Sequence, residues 1–275
     1  MGVALTARRG GRGPRRGQAW RRCGGLVLVV GVLCALASGP ARAQGETELT
    51  YTQYRELAWA ADRLDHLAKF EPLVGEPGMY LALAERFGSV RVIRILPGGA
   101  QQVWKSMQLG GVPVELRVAD LDGDALDDAL ICRTTNAKLY AWSLEDYRLL
   151  WESLTNEFQE ITCFTVADLD DDEASEIVLN ADSKIVYVDG MTFNRDFTTI
   201  NDYTASMVRC GDVDGDGRNE IVLNTGQVID SVSGEIEWED ETFFARIELY
   251  DIDGDGMPEI LTEDEFGGPL KVFDV

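Results

Sequence analysis

The chain has 275 residues, with 48 Asp or Glu against 25 Lys or Arg, and a formal charge of −23. Such an acidic balance argues against nucleic acid or an anionic membrane surface as a partner. The single histidine, His66, excludes a histidine-based zinc cluster and leaves any Ser–His triad resting on one residue.

The first 43 residues hold eight arginines and no acid. Arg8, Arg9, Arg12, Arg15, Arg16, Arg21 and Arg22 precede an apolar run from Leu26 to Ala37, and Ala41-Arg42-Ala43 has the small-x-small form of a cleavage site. The expectation is a secretory signal peptide cut after Ala43, giving a secreted, periplasmic or extracellular protein without membrane insertion. The apolar run falls well short of the roughly 20 residues that a spanning helix needs. Leu33 before Cys34 argues against acylation, and Arg21-Arg22 leaves both Sec and twin-arginine export open.

Removing those eight arginines from the 25 basic residues leaves 17 against 48 acids, a formal charge of −31. Three cysteines remain, Cys132, Cys163 and Cys210, an odd number. Cys163 and Cys210 sit at different offsets before their neighbouring loops. They would face opposite sides of their strands, which disfavours a bridge.

Residues 47–54, Thr-Glu-Leu-Thr-Tyr-Thr-Gln-Tyr, are β-branched and alternating, as in a strand. Residues 56–62 match Glu115-Leu-Arg-Val-Ala-Asp120 in outline and read as a degenerate first strand. An amphipathic helix over 50–69, with Tyr54, Leu57, Ala61, Leu64 and Ala68 on one face, is the alternative. Strands then follow at 79–84 and 90–96, with Pro97-Gly98-Gly99 as a turn and Trp104 in a further strand.

From residue 114 one acidic phrase recurs four times. Its carboxylates are Asp120, Asp122, Asp124 and Asp128; Asp168, Asp170, Asp172 and Glu176; Asp212, Asp214, Asp216 and Glu220; and Asp251, Asp253, Asp255 and Glu259. In each copy they occupy positions 1, 3, 5 and 9, and an apolar run follows. A hard cation takes six to eight oxygens, and alternate acidic side chains on a curled loop aim oxygens at one centre, with a backbone carbonyl from position 7. These sixteen residues are therefore the expected metal ligands and Ca²⁺ the expected cofactor, held at about 10⁻⁴–10⁻³ M, the range of extracellular modules. Glycine at position 6 allows a positive φ. Gly217 and Gly256 supply it in copies three and four, whereas copy one has Ala125 and copy two has Asp171 and Glu173 where glycines would serve. An EF-hand needs a Glu at position 12 and flanking helices. Position 12 is Ile131, Leu179, Leu223 and Thr262, so that reading fails in every copy.

The first aspartates are spaced by 48, 44 and 39 residues, a period that suits propeller blades. Alternating pairs precede each loop (Leu116/Val118, Phe164/Val166, Val208/Cys210, Ile247/Leu249). A second strand follows it, then a third (138–142, 184–188, 227–229, 271–273), and a fourth ends near an aromatic: Trp151, Phe197, Trp238 and, in the earlier unit, Trp104. These aromatics read as packing residues between blades. The fold expected is all-β, a β-propeller of four-stranded antiparallel blades, five in number over 47–275, with 47–113 as a degenerate first unit and 114–275 as four calcium-loop repeats. The last unit has only three strands, and residues 47–54 are expected to supply its fourth and close the ring.

Gly211-Asp-Val-Asp-Gly-Asp-Gly-Arg-Asn-Glu-Ile-Val-Leu-Asn224 and Asp251-Ile-Asp-Gly-Asp-Gly-Met-Pro-Glu-Ile-Leu261 resemble FG-GAP/VCBS repeats, the calcium-loop repeats of integrin-type propellers. The resemblance implies that each loop joins the first and second strands of a blade and holds calcium on one rim. The sequence departs from that pattern in placing Glu rather than Asp at position 9 in three copies. Leu139-Tyr-Ala-Trp and Leu150-Trp-Glu are more faintly similar to quinoprotein-type propeller repeats.

The expected function is a calcium-binding module or scaffold for a protein or glycan. The alternative is an extracellular polysaccharide-processing enzyme or quinoprotein-like propeller, for which Glu235, Glu239, Asp240 and Glu241 are spare carboxylates. No histidine pair, nucleophile motif or vicinal cysteine pair marks a catalytic centre, and a fold of this kind does not itself imply an activity.

Overall fold

A computed structural model describes residues 66–73, 75–240, 243, 246–263 and 268–275, all within a unit spanning Gly45–Val275. The expected leader (1–43) and the segment 47–62 lie outside the described residues.

Among the described residues nineteen strands form five antiparallel sheets. The first sheet contains β1 (Leu67–Phe70), β2 (Tyr80–Glu85), β3 (Ser89–Leu96) and β4 (Gly99–Lys105). The second contains β5 (Pro113–Ala119), β6 (Ala129–Thr134), β7 (Leu139–Ser143) and β8 (Leu149–Glu152). The third contains β9 (Ile161–Ala167), β10 (Glu176–Ala181), β11 (Lys184–Val188) and β12 (Arg195–Thr198). The fourth contains β13 (Val208–Gly211), β14 (Glu220–Leu223), β15 (Gln227–Ile229) and β16 (Ile236–Glu239). The last has three, β17 (Ile247–Tyr250), β18 (Glu259–Glu263) and β19 (Leu270–Phe273). Strand order within every sheet follows the chain, a simple meander.

Short β-branched runs bounded by turns explain these strands, and their alternation explains the layers. Within a middle strand, successive side chains face opposite neighbours. Ile221 and Leu223 pack toward the third sheet with Tyr187 and Ile185, whereas Val222 and Val228 pack toward the last with Ile247 and Ile260. All four of the β14 and β15 residues named are fully buried, and each such side chain contributes roughly 1.5–3 kcal/mol. First strands pack in succession, β1 against β5, β5 against β9, β9 against β13 and β13 against β17.

The fourth-strand aromatics do join neighbouring sheets. Trp104 stacks on Tyr147 and meets Trp142 edge-on, Trp151 stacks on Phe193, and Trp238 meets Phe273 edge-on. Phe197 lies so close to Gly234 of the next sheet that a Cβ there would come within 2.7 Å of its ring.

Among the described residues the first strand of the first sheet is Leu67–Phe70, where Ala68 and Phe70 alternate into the core and Phe70 pairs with Tyr80; the strand expected at 56–62 lies outside them. The same strand occupies 67–69, where the alternative helix would have ended. Cys132, Cys163 and Cys210 are free, and burial pushes the Cys163 thiol up to about 12.

Candidate metal centre

Each acidic phrase is the connection between the first and second strands of its sheet: β5–β6, β9–β10, β13–β14 and β17–β18. In an antiparallel meander these connections share one end of successive sheets, so the four loops lie along one rim.

The loops are built by the same hydrogen bonds. The position 1 carboxylate accepts N–H groups from positions 4 and 6: Gly123 and Ala125 to Asp120 (2.8 and 2.6 Å), Asp171 and Glu173 to Asp168 (2.9 and 3.2 Å), Gly215 and Gly217 to Asp212 (2.8 and 3.2 Å), and Gly254 and Gly256 to Asp251 (2.6 and 3.2 Å). The position 5 carboxylates of Asp124, Asp172, Asp216 and Asp255 accept the N–H of position 7 at 2.8–2.9 Å. Asp122, Asp214 and Asp253 likewise accept the N–H of position 5. The position 9 acids Asp128, Glu176, Glu220 and Glu259 reach back from the second strand to the N–H of position 2, at 2.7–2.9 Å. These bonds curl the loop so that its carboxylates converge.

Convergence is not identical in the four copies. Asp120, Asp122 and Asp124 bring carboxylate oxygens within 4.8 Å of one another, as do Asp251, Asp253 and Asp255. In the middle copies the groups are instead Asp168, Asp170 and Glu176, and Asp212, Asp214 and Glu220. A glutamate at position 9 therefore reaches the cluster in two copies, while Asp128, Asp172, Asp216 and Glu259 stand outside these groups of three. The donors are all carboxylate oxygens, the set a hard cation takes.

The electrostatics agree with the geometry. Glu176 and Glu220 are pushed up to about 7, first by burial and then by the neighbouring loop aspartates, against the lowering effect of the N–H each accepts. Burial and then Asp122 and Asp120 raise Asp128. Without a cation the loops hold like charges at close quarters.

Three further features complete the loops. Position 4 as well as position 6 has positive φ in every copy: Gly123 78° and Ala125 66°, Asp171 64° and Glu173 75°, Gly215 78° and Gly217 95°, Gly254 82° and Gly256 103°. Copy two holds the same turn as the others with two non-glycine residues, at roughly 1–2 kcal/mol each. Position 2 is an apolar anchor: Leu121, Leu169 and Val213 are at most 6% exposed, yet Ile252 is 51% exposed. Leu121, Leu169 and Val213 each sit in the seam with the following sheet, and no following sheet covers Ile252 among the described residues. Position 8 contacts the preceding loop, through the N–H of Ser175 and the side-chain amide of Asn219. The aspartate spacing signals only position 4, through its glycines.

Of the spare carboxylates, Glu235 precedes β16 and Glu239 ends it, at opposite ends of the strand, and Asp240 donates its N–H to the Gly226 carbonyl. Glu241 lies outside the described residues.

No protein-family model and no curated protein sequence matches the chain. Among solved structures it is similar to Sqt1 of Saccharomyces cerevisiae, with 10% identity and a TM-score of 0.54 over 75% of this chain and 58% of that one. It is also similar to BamB of Moraxella catarrhalis, with 14% identity and a TM-score of 0.46 over 71% of this chain and 54% of that one. The chain thus spans a little over half the length of the structures it matches. The likeness to Sqt1 and the five meander sheets make the fold all-β and propeller-like.

Proposed function

We propose that the protein is a secreted, calcium-stabilised β-propeller of the FG-GAP/VCBS kind that serves as a binding or scaffold module for a protein or glycan. One observation carries the reading: the same carboxylate-lined loop recurs at the same strand connection of four successive sheets, drawing three acids of each copy within 4.8 Å. A cation there holds the loop that leaves the first strand closed, and in the second and third copies ties it, through Glu176 and Glu220 at position 9, to the start of the second strand. It acts as a structural pin in every repeat and leaves the rest of the surface for recognition. The five sheets are five blades. The expected closing strand at 47–54 lies outside the described residues, and the last sheet leaves the side chains of Ile252, Leu270 and Val272 exposed among them.

Two measurements on one sample test the reading. Equilibrium dialysis against ⁴⁵Ca is expected to show up to four ions per chain. A glycan array run beside an assay for released reducing sugar is expected to show retention without turnover. Sugar release that scales with protein would replace the binding module by a hydrolase or lyase, and absence of bound calcium would remove the pin.

A further inference from the structure

Adjacent loops are joined to one another, and the joint differs along the rim. The N–H of Ser175, position 8 of the second loop, donates to the carbonyl of Asp120, position 1 of the first, at 2.9 Å. The side-chain amide of Asn219, position 8 of the third loop, donates to the carbonyl of Asp168, position 1 of the second, at 2.7 Å. Position 8 of the fourth loop is Pro258, which has no N–H and no side-chain donor. There the contact with the third loop is apolar: Pro258 lies beside Gly211, and the Met257 thioether lies beside Gly215. The first and second loops also nest backbone to backbone, since a Cβ on Gly123 would meet the Glu173 carbonyl carbon at 3.3 Å and the Ala174 nitrogen at 3.4 Å.

Each joint runs from the residue just before a position 9 acid to the backbone of a position 1 acid. A cation that fixes positions 1 to 9 of one loop fixes position 8 as well, and with it the carbonyl of the first aspartate in the preceding loop. Ordering that is complete before the second ion arrives is a cost that ion no longer bears, which is positive coupling. We propose that the first three loops take up cations cooperatively, coupled through Ser175–Asp120 and Asn219–Asp168, while the fourth loop binds independently because Pro258 breaks the chain of hydrogen bonds. This rests on the reading of the loops as cation sites.

Calorimetric titration of the intact protein with calcium separates the two claims. Three ions are expected to enter in one phase with a Hill coefficient above 1, approaching about 2, and a fourth in an independent phase. Asn219→Ala removes one joint without touching a carboxylate; its half-saturating calcium for the cooperative phase is expected to rise about three- to tenfold, with a Hill coefficient falling toward 1. Pro258→Asn adds the missing amide and is expected to draw the fourth ion into the cooperative phase, a gain that misfolding does not imitate. Independent binding of all ions in the parent, unchanged in both variants, would overturn the coupling and leave the cation sites standing. No heat and no bound calcium in the parent would overturn the cation sites and the coupling together.

Discussion

The first sheet and the four that follow close the same strand connection in two ways. Between β1 and β2 there is no acidic phrase; Glu76 pairs with Arg94 from β3, and the same guanidinium donates to the Pro77 carbonyl at 3.0 Å. Here the protein supplies its own cation on a covalent tether. In the other four sheets the loop presents three converging carboxylates and no basic side chain pairs with them among the described residues. On the proposed reading of the loops as cation sites, dependence on the medium enters the fold at the four acidic connections and not at the first.

Breaking a loop is expected to have the largest effect. Asp212→Ala removes a cluster member and the acceptor of the Gly215 and Gly217 N–H groups. A loss of about 2–3 kcal/mol in calcium is expected by chemical denaturation, shrinking toward zero in chelator. An equal loss in both media would mean that the loop is only a hydrogen-bonded turn.

The pH response follows in size. Glu176 and Glu220 are raised from the ordinary carboxylate value of 4.5 to about 7. The cation-free folded state therefore holds protons that the unfolded chain has released, and its stability falls as pH rises from 4.5 to about 7. On the proposed reading, calcium replaces those protons. In chelator the melting temperature is expected to be higher at pH 5 than at pH 8, and the gain on adding calcium to be small at pH 5 and full at pH 8. A gain that does not change with pH would contradict the placement of these glutamates at the cation.

Arg94→Met sharpens the comparison from the other side. A loss of about 1 kcal/mol is expected, kept modest because Glu76 is 77% exposed. The loss is expected to be the same with calcium or chelator. The smallest effect belongs to the second loop, where Glu173→Gly relieves a φ of 75° and is expected to add up to about 1 kcal/mol by urea unfolding.

Much of this was legible in the sequence because the repeat reports itself. Fixed spacing of Asp and Glu beside apolar runs located sixteen carboxylates and the strands on either side, since loop and strand must adjoin for position 9 to turn back. The first strand escaped because His66-Leu-Ala-Lys-Phe70 is too short for its two-residue alternation to stand out beside the longer alanine-rich stretch before it. Which three acids of each copy converge was hidden as well. Asp and Glu at position 9 differ by one methylene, and reach depends on how the second strand begins. The joints at Ser175 and Asn219 run between repeats 48 and 44 residues apart, and one of them uses a backbone N–H that any residue but proline provides.

The role of the four loops as pins for a cation is the central proposal. A thermal melt of the protein in roughly 10 mM calcium and in chelator tests this directly. Several sites of about 10⁻⁴–10⁻³ M that exist only in the folded state should together raise the midpoint by about 10–20 °C. Coincident midpoints at millimolar calcium would contradict it.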